Sequence, residues 1–158
     1  MHIVDLLSKD SIMLNADPKS KIEAIDMLVD LQVKGGKIAD REAYKKGILA
    51  REEMSSTAVG EGIAIPHGKC DAVTKPGLAA MVIKDGVDFD ALDGEPVTLL
   101  FLIAAPNTKD NVHLDVLSKL SVLMMDEDFS NGLRNAKSVE EFLEIIDKAD
   151  DEKPDIDE

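Results

Sequence analysis

The sequence predicts an α/β fold: a single domain with a mixed β-sheet flanked by helices on both faces. Three observations lead there. The run from Val97 to Ile103 is apolar without interruption, as a central strand must be when helices cover both of its faces. Segments on either side of it carry apolar residues at spacings of three and four. The 158 residues, 44% of them apolar, suffice for one core and are too few for two full domains.

Taken in order, Ile12-Met13-Leu14 is a short apolar piece, followed by Asp17-Pro18, where Asp caps a helix and Pro occupies its first turn. That helix starts at about residue 18, aligns Ile22, Ile25, Leu28 and Val29, and stops at Gly35-Gly36. Asp40 caps a second helix in which Tyr44, Ile48 and Arg51 share a face, so an arginine ends an apolar stripe. Residues 55–62 are rich in turn formers, and a short strand over Ile63-Ala64-Ile65 ends at His67. Leu78 to Ile83 reads as a buried strand, Asp85-Gly86 as a hairpin turn, Val87 to Asp90 as an alternating edge strand and Asp93-Gly94 as a further turn. After the central strand, Asn111 caps a helix to about Met125 with Leu117, Leu120 and Met124 inward. Counting back four from Leu117 puts His113 in its first turn on the buried side. Ser138-Val139-Glu140-Glu141 is a capping box for a last helix with Phe142, Ile145 and Ile146 inward. The folded domain is expected to span residues 1–147. Residues 148–158 read as an acidic tail or the start of a linker, seven of the last twelve residues being acidic.

Charge and composition exclude several functions. A net charge of −14 argues against binding nucleic acid. No apolar run approaches the roughly 20 residues a membrane helix needs, and the N-terminus lacks the basic and apolar parts of a signal peptide, so a cytoplasmic location is expected. A single cysteine, Cys70, forms no internal disulfide and reads as a small, partly buried hydrophobe.

Of three histidines, His67 lies between Pro66 and Gly68, which stiffen its approach and leave its ring uncovered. By itself it reads equally as a loop histidine without a role. His113, beside the open N–H groups and positive end of a helix, favours a nearby anion and a neutral ring, although packing against the sheet accounts for it as well. Metal binding by this pair ranks behind both, because no further ligand lies at suitable spacing, and no metal or cofactor is expected. With Arg51 and the hydroxyls of Ser55, Ser56 and Thr57, the histidines form a set suited to a phosphoryl group, Ser56 and Thr57 being the hydroxyls expected to stabilise it. The phosphate loop that direct use of ATP requires is missing.

Arg51-Glu52, then Ser56-Thr57-x-x-Gly60-x-Gly62-Ile63-Ala64-Ile65-Pro66-His67-Gly68, then His113-Leu114-x-x-Leu117-x-x-Leu120, resembles the fructose/mannitol-type enzyme IIA of the bacterial sugar phosphotransferase system, over residues 5 to 147. Ala58 stands where glycine is common in that family. The resemblance implies that His67 accepts a phosphoryl group at Nε2 from the histidine-containing phosphocarrier protein and passes it to a cysteine of a sugar-specific enzyme IIB. It further implies that His113 and Arg51 stabilise the phosphoryl oxygens and that the membrane is reached only through the transporter components. Because a protein donor has to bring its own phosphohistidine against His67, the rim of the site is expected to be apolar and shallow, with Val59, Ile63 and Leu114 the nearest candidates. The segment Val87 to Val97 is more like the fructose group than the nitrogen-related regulatory enzyme IIA, which acts by binding partners and is the alternative.

Overall fold

A computed structural model describes residues 2–152. Its elements run in the order of a short 3-10 turn (Ile3–Leu6), β1 (Leu7–Ala16), α1 (Lys21–Lys34), α2 (Arg41–Met54), β2 (Ala58–Gly60), β3 (Ile63–Ala64), β4 (His67–Cys70), β5 (Gly77–Val87), β6 (Val97–Pro106), α3 (Val112–Met124), α4 (Glu127–Arg134) and α5 (Val139–Glu152). The six strands form one mixed sheet ordered β1-β5-β6-β3-β2, with β4 also paired to β6. β1 is parallel to β5, β5 antiparallel to β6, and β3 and β4 both parallel to β6. β6 is the middle strand, as its unbroken apolarity requires.

Strand alternation divides the core into two layers. Ala79, Met81, Leu100, Leu102 and Ala104 face α1 and α2, where Ile25, Leu28, Tyr44 and Ile48 are buried. Leu78, Ala80, Leu99, Phe101 and Ile103 face the other side, against Val116, Leu120, Leu133, Phe142 and Ile146 of α3, α4 and α5. A strand buried on both faces has no polar position to spare, which is why its alternation is invisible in the sequence.

Several expected boundaries move. The apolar piece at Ile12 to Leu14 is the inner part of a ten-residue strand. Helix α1 is capped by Ser20, whose Oγ accepts from the Glu23 N–H at 3.1 Å, and Asp17 pairs with Lys19 instead. Asp40 caps α2 as expected. Asp85-Gly86 is not a hairpin turn. Gly86, at a φ of 74°, is an irregularity inside β5, and the chain runs on so that Val87 pairs with Val97 and Phe89 is buried before it reverses. Residues 88–90 therefore form no edge strand. Pro66, with no N–H, interrupts the edge of the sheet, yet its carbonyl accepts from the Ile103 N–H at 2.9 Å. His67 thus opens β4 rather than ending a strand. Leu117 and Ile145 are only half-buried, with Val116 and Leu123 taking the inner face of α3. Helix α4, capped by Asp126, was unexpected.

Helix α5 continues through Glu152, past the boundary expected at residue 147, and the reason is Asp150. Its side chain is buried, accepts from the N–H groups of Ile3 and Val4 at 3.1 Å each, and lies 3.2 Å from the Lys119 Nζ. The remainder of the expected acidic tail, residues 153–158, lies outside the described residues. Among the described residues no helix is long and apolar enough to cross a membrane.

Candidate functional site

The two histidines converge at the end of the sheet where β4 and β6 run side by side. β4 starts at His67, opposite Ile103, and α3 begins a few residues after β6 ends, which returns His113 over the same edge. The ring centroids lie 6.3 Å apart at an interplanar angle of 27°. Gly68 keeps α2 close, since a Cβ there would lie 3.2 Å from the Ile48 Cδ1.

The His67 Nδ1 is 2.9 Å from the Ile65 carbonyl oxygen. A carbonyl only accepts, so Nδ1 carries the proton and, in the neutral ring, Nε2 carries the lone pair. His113 presents a complementary arrangement. Its Nδ1 is buried with no hydrogen-bond partner among the described residues, and burial first, then the neighbouring His67 and Lys69, lowers its pKa. A neutral imidazole retains one N–H to donate. Asn111 does not cap α3 with its side chain, and among the described residues its carbonyl accepts from Leu114 and Asp115 alone, so the N–H groups of Val112 and His113 have no intrahelical acceptor. These donors, at the positive end of the helix dipole, suit an anion.

The remaining expected residues are placed differently. Arg51, half-buried at the end of α2, donates from Nη1 to the Ser55 carbonyl at 3.0 Å and lies 3.4 Å from its Oγ. It makes no hydrogen bond to either imidazole. Ser56 donates its hydroxyl to the Phe89 carbonyl at 2.6 Å and accepts from the Ala58 N–H. Thr57 is buried and donates its hydroxyl to Glu52. Both hydroxyls are committed within the fold. Of the expected rim, Val59 and Leu114 are exposed, but Ile63 is in the core. Cys70 is half-buried and accepts from the Ala72 N–H.

Residues 5–149 match the family described as "Phosphoenolpyruvate-dependent sugar phosphotransferase system, EIIA 2". The chain belongs to this family. As an enzyme IIA domain it is a phosphotransferase. It is 47% identical over 150 residues to the fructose-specific EIIABC component of Bacillus subtilis, covering 95% of this chain but only 24% of that protein. To the fructose-specific EIIA component of Haloferax volcanii it is 42% identical over 135 residues, covering 85% of this chain and 88% of the other. The chain thus spans about a quarter of the length of the first relative and most of the second. Among solved structures, the nitrogen regulatory protein IIA-Ntr of Neisseria meningitidis superposes with a TM-score of 0.80 at 31% identity, over 91% of this chain and 98% of the other. The mannitol enzyme IIA of Escherichia coli, solved in complex with phosphorylated mannitol enzyme IIB, gives 0.78 at 31%, over 89% and 96%.

Sequence reasoning missed Lys69 in the enzyme IIA domain. Two positions beyond His67 in the same strand, it falls on the same side of the sheet, and its Nζ lies 3.4 Å from the Asn111 Oδ1. A cation there favours an anion between the two histidines. Period-two alternation counted from His67 was the available signal.

Proposed function

We propose that this enzyme IIA domain carries a phosphoryl group on the His67 Nε2 in the cytoplasm, taking it from the phosphohistidine of the phosphocarrier protein and passing it to a cysteine of a sugar-specific, fructose-type enzyme IIB. One observation carries the reading: the Ile65 carbonyl holds the His67 Nδ1–H, which leaves Nε2 as the nucleophilic nitrogen beside a neutral His113. In the first transfer the Nε2 lone pair forms a bond to phosphorus while the N–P bond of the donor breaks and its electron pair returns to the donor imidazole. In the second, a cysteine thiolate attacks phosphorus and the His67 N–P bond breaks, its pair returning to Nε2. No proton has to reach His67 in either direction. Positioning and charge stabilisation are then the main requirements for transfer through a loose transition state. His113, the open N–H groups of α3 and Lys69 hold the phosphoryl oxygens. Arg51 joins them by turning from the Ser55 carbonyl.

The fructose assignment is supported by the names of the Bacillus and Haloferax relatives, and the enzyme IIB partner by the Escherichia coli complex. The test is incubation with phosphoenolpyruvate, enzyme I and the phosphocarrier protein, followed by intact mass measurement. An acid-labile phosphoryl increment, absent in His67→Ala, is expected, and an unlabelled wild-type chain overturns the reading. A labelled chain that fails to discharge to a fructose-type enzyme IIB favours the regulatory alternative.

A further inference from the structure

Behind His67 lies a buried carboxylate that touches no reacting atom. The Glu52 side chain is 3% exposed and lies at the C-terminal end of α2. Its Oε2 accepts from the Thr57 N–H at 3.1 Å and its Oε1 from the Thr57 hydroxyl. The Thr57 carbonyl accepts from the Ile65 N–H at 3.1 Å, and the Ile65 carbonyl accepts the His67 Nδ1–H at 2.9 Å. An unbroken series of hydrogen bonds therefore runs from Glu52 to the imidazole. Lys21, whose Nζ is 2.8 Å from Glu52 and 4.9 Å from the Phe89 ring centroid, balances the buried charge.

The series matters because neutral histidine in water favours the Nε2–H tautomer, in which the nitrogen assigned to phosphoryl transfer has no lone pair. The Ile65 carbonyl reverses that preference only if it stays within hydrogen-bond reach of Nδ1 at the right angle. Ile65 is fully buried, and Pro66 limits the torsions that follow. On the other side its N–H is tied to Thr57, which Glu52 holds through both its N–H and its hydroxyl.

We propose that Glu52 and Thr57 are positioning residues that hold the Ile65 carbonyl where it fixes the reactive tautomer and ring orientation of His67. This role replaces a phosphoryl contact for Thr57, whose hydroxyl already has its acceptor. The inference rests on the carrier reading for its kinetic consequence, but the tautomer is measurable without any phosphoryl group.

Thr57→Val keeps the β-branched shape and removes the hydroxyl, whereas Thr57→Ser keeps the hydroxyl. Nitrogen-15 spectra of histidine-labelled protein at alkaline pH report which ring nitrogen of His67 bears hydrogen. Thr57→Val is expected to move the His67 resonances toward the Nε2–H form and to slow phosphoryl acceptance about tenfold, the effect of one hydrogen bond to a charged group. Thr57→Ser is expected to restore both. Amide spectra establish that each variant is folded, and Glu52→Gln, which keeps the side-chain volume, is expected to shift the same resonances should Thr57→Val fail to fold. Wild-type tautomer and rate in Thr57→Val, or a Thr57→Ser variant as impaired as Thr57→Val, overturns the proposal. If the wild-type chain takes no label at all, the carrier reading falls and the nitrogen spectra still decide the role of Glu52 and Thr57.

Discussion

Replacing Asp150 by Asn tests whether the end of α5 belongs to the folded core. The side chain is fully buried, and its two oxygens accept from the Ile3 and Val4 N–H groups while Oδ1 also faces Lys119, which is 7% exposed. Asparagine preserves the volume but offers one acceptor oxygen, so one main-chain N–H is left facing an amide N–H, and the carboxylate charge opposite Lys119 is gone. An unsatisfied buried donor costs about 1–3 kcal/mol, and loss of one partner of a buried ion pair about 3–5 kcal/mol. The two figures count overlapping atoms, so they do not add. A loss of about 3 kcal/mol is expected, a large part of the roughly 5–15 kcal/mol that holds a domain folded. For a domain of this size it lowers Tm by about 6–12 °C. Thermal unfolding followed by circular dichroism measures the shift, and hydrogen exchange at Ile3 and Val4 localises it. A Tm within about 2 °C of wild type, with exchange at those two amides unchanged, refutes the argument.

Five further outcomes are expected. His67→Ala abolishes labelling and leaves the fold intact, because a half-buried ring at the start of an edge strand contributes little packing; a labelled variant moves the site elsewhere. His113→Ala slows onward transfer more than it weakens binding of the phosphocarrier, and normal transfer rates remove its role. The folded pKa of His113 lies below its ordinary value, so the unfolded chain binds more protons. The contribution of a neutral His113 to stability is therefore fully present above about pH 6.5 and is lost as pH falls from there toward the folded pKa; in His113→Gln thermal unfolding over that range shows a smaller decline. Arg51→Lys keeps the fold and loses about 1–3 kcal/mol of phosphoryl stabilisation, seen as faster hydrolysis or slower transfer, since lysine lacks the paired N–H groups. Salt slows association with the phosphocarrier if the net charge of −14 steers it, and a salt-independent rate limits that charge to solubility.

The sequence alone determined the α/β class, the middle strand, the caps at Asp40 and Ser138 and the pairing of His67 with His113. Those features are local, or follow from periodicity and from which residue types bring an anion and a nucleophile together. It did not determine the partners of polar side chains. Ser56 and Thr57 have the composition of a phosphate-binding pair, but their hydroxyls were assigned by Phe89 and Glu52, the first of them thirty-three residues away along the chain. Asp150 sits in a run whose composition is that of a solvated tail, and only the return of the N-terminus to α5 and α3 gives its carboxylate buried donors. Asp85-Gly86 has the chemistry of a tight turn, overridden because burying Val87 and Phe89 is worth more than an early reversal. A hydrogen-bonding group in sequence is a capacity without a partner, and tertiary structure decides which partner it meets, because the cost of burying it unpaired is felt only when the chain has closed around it.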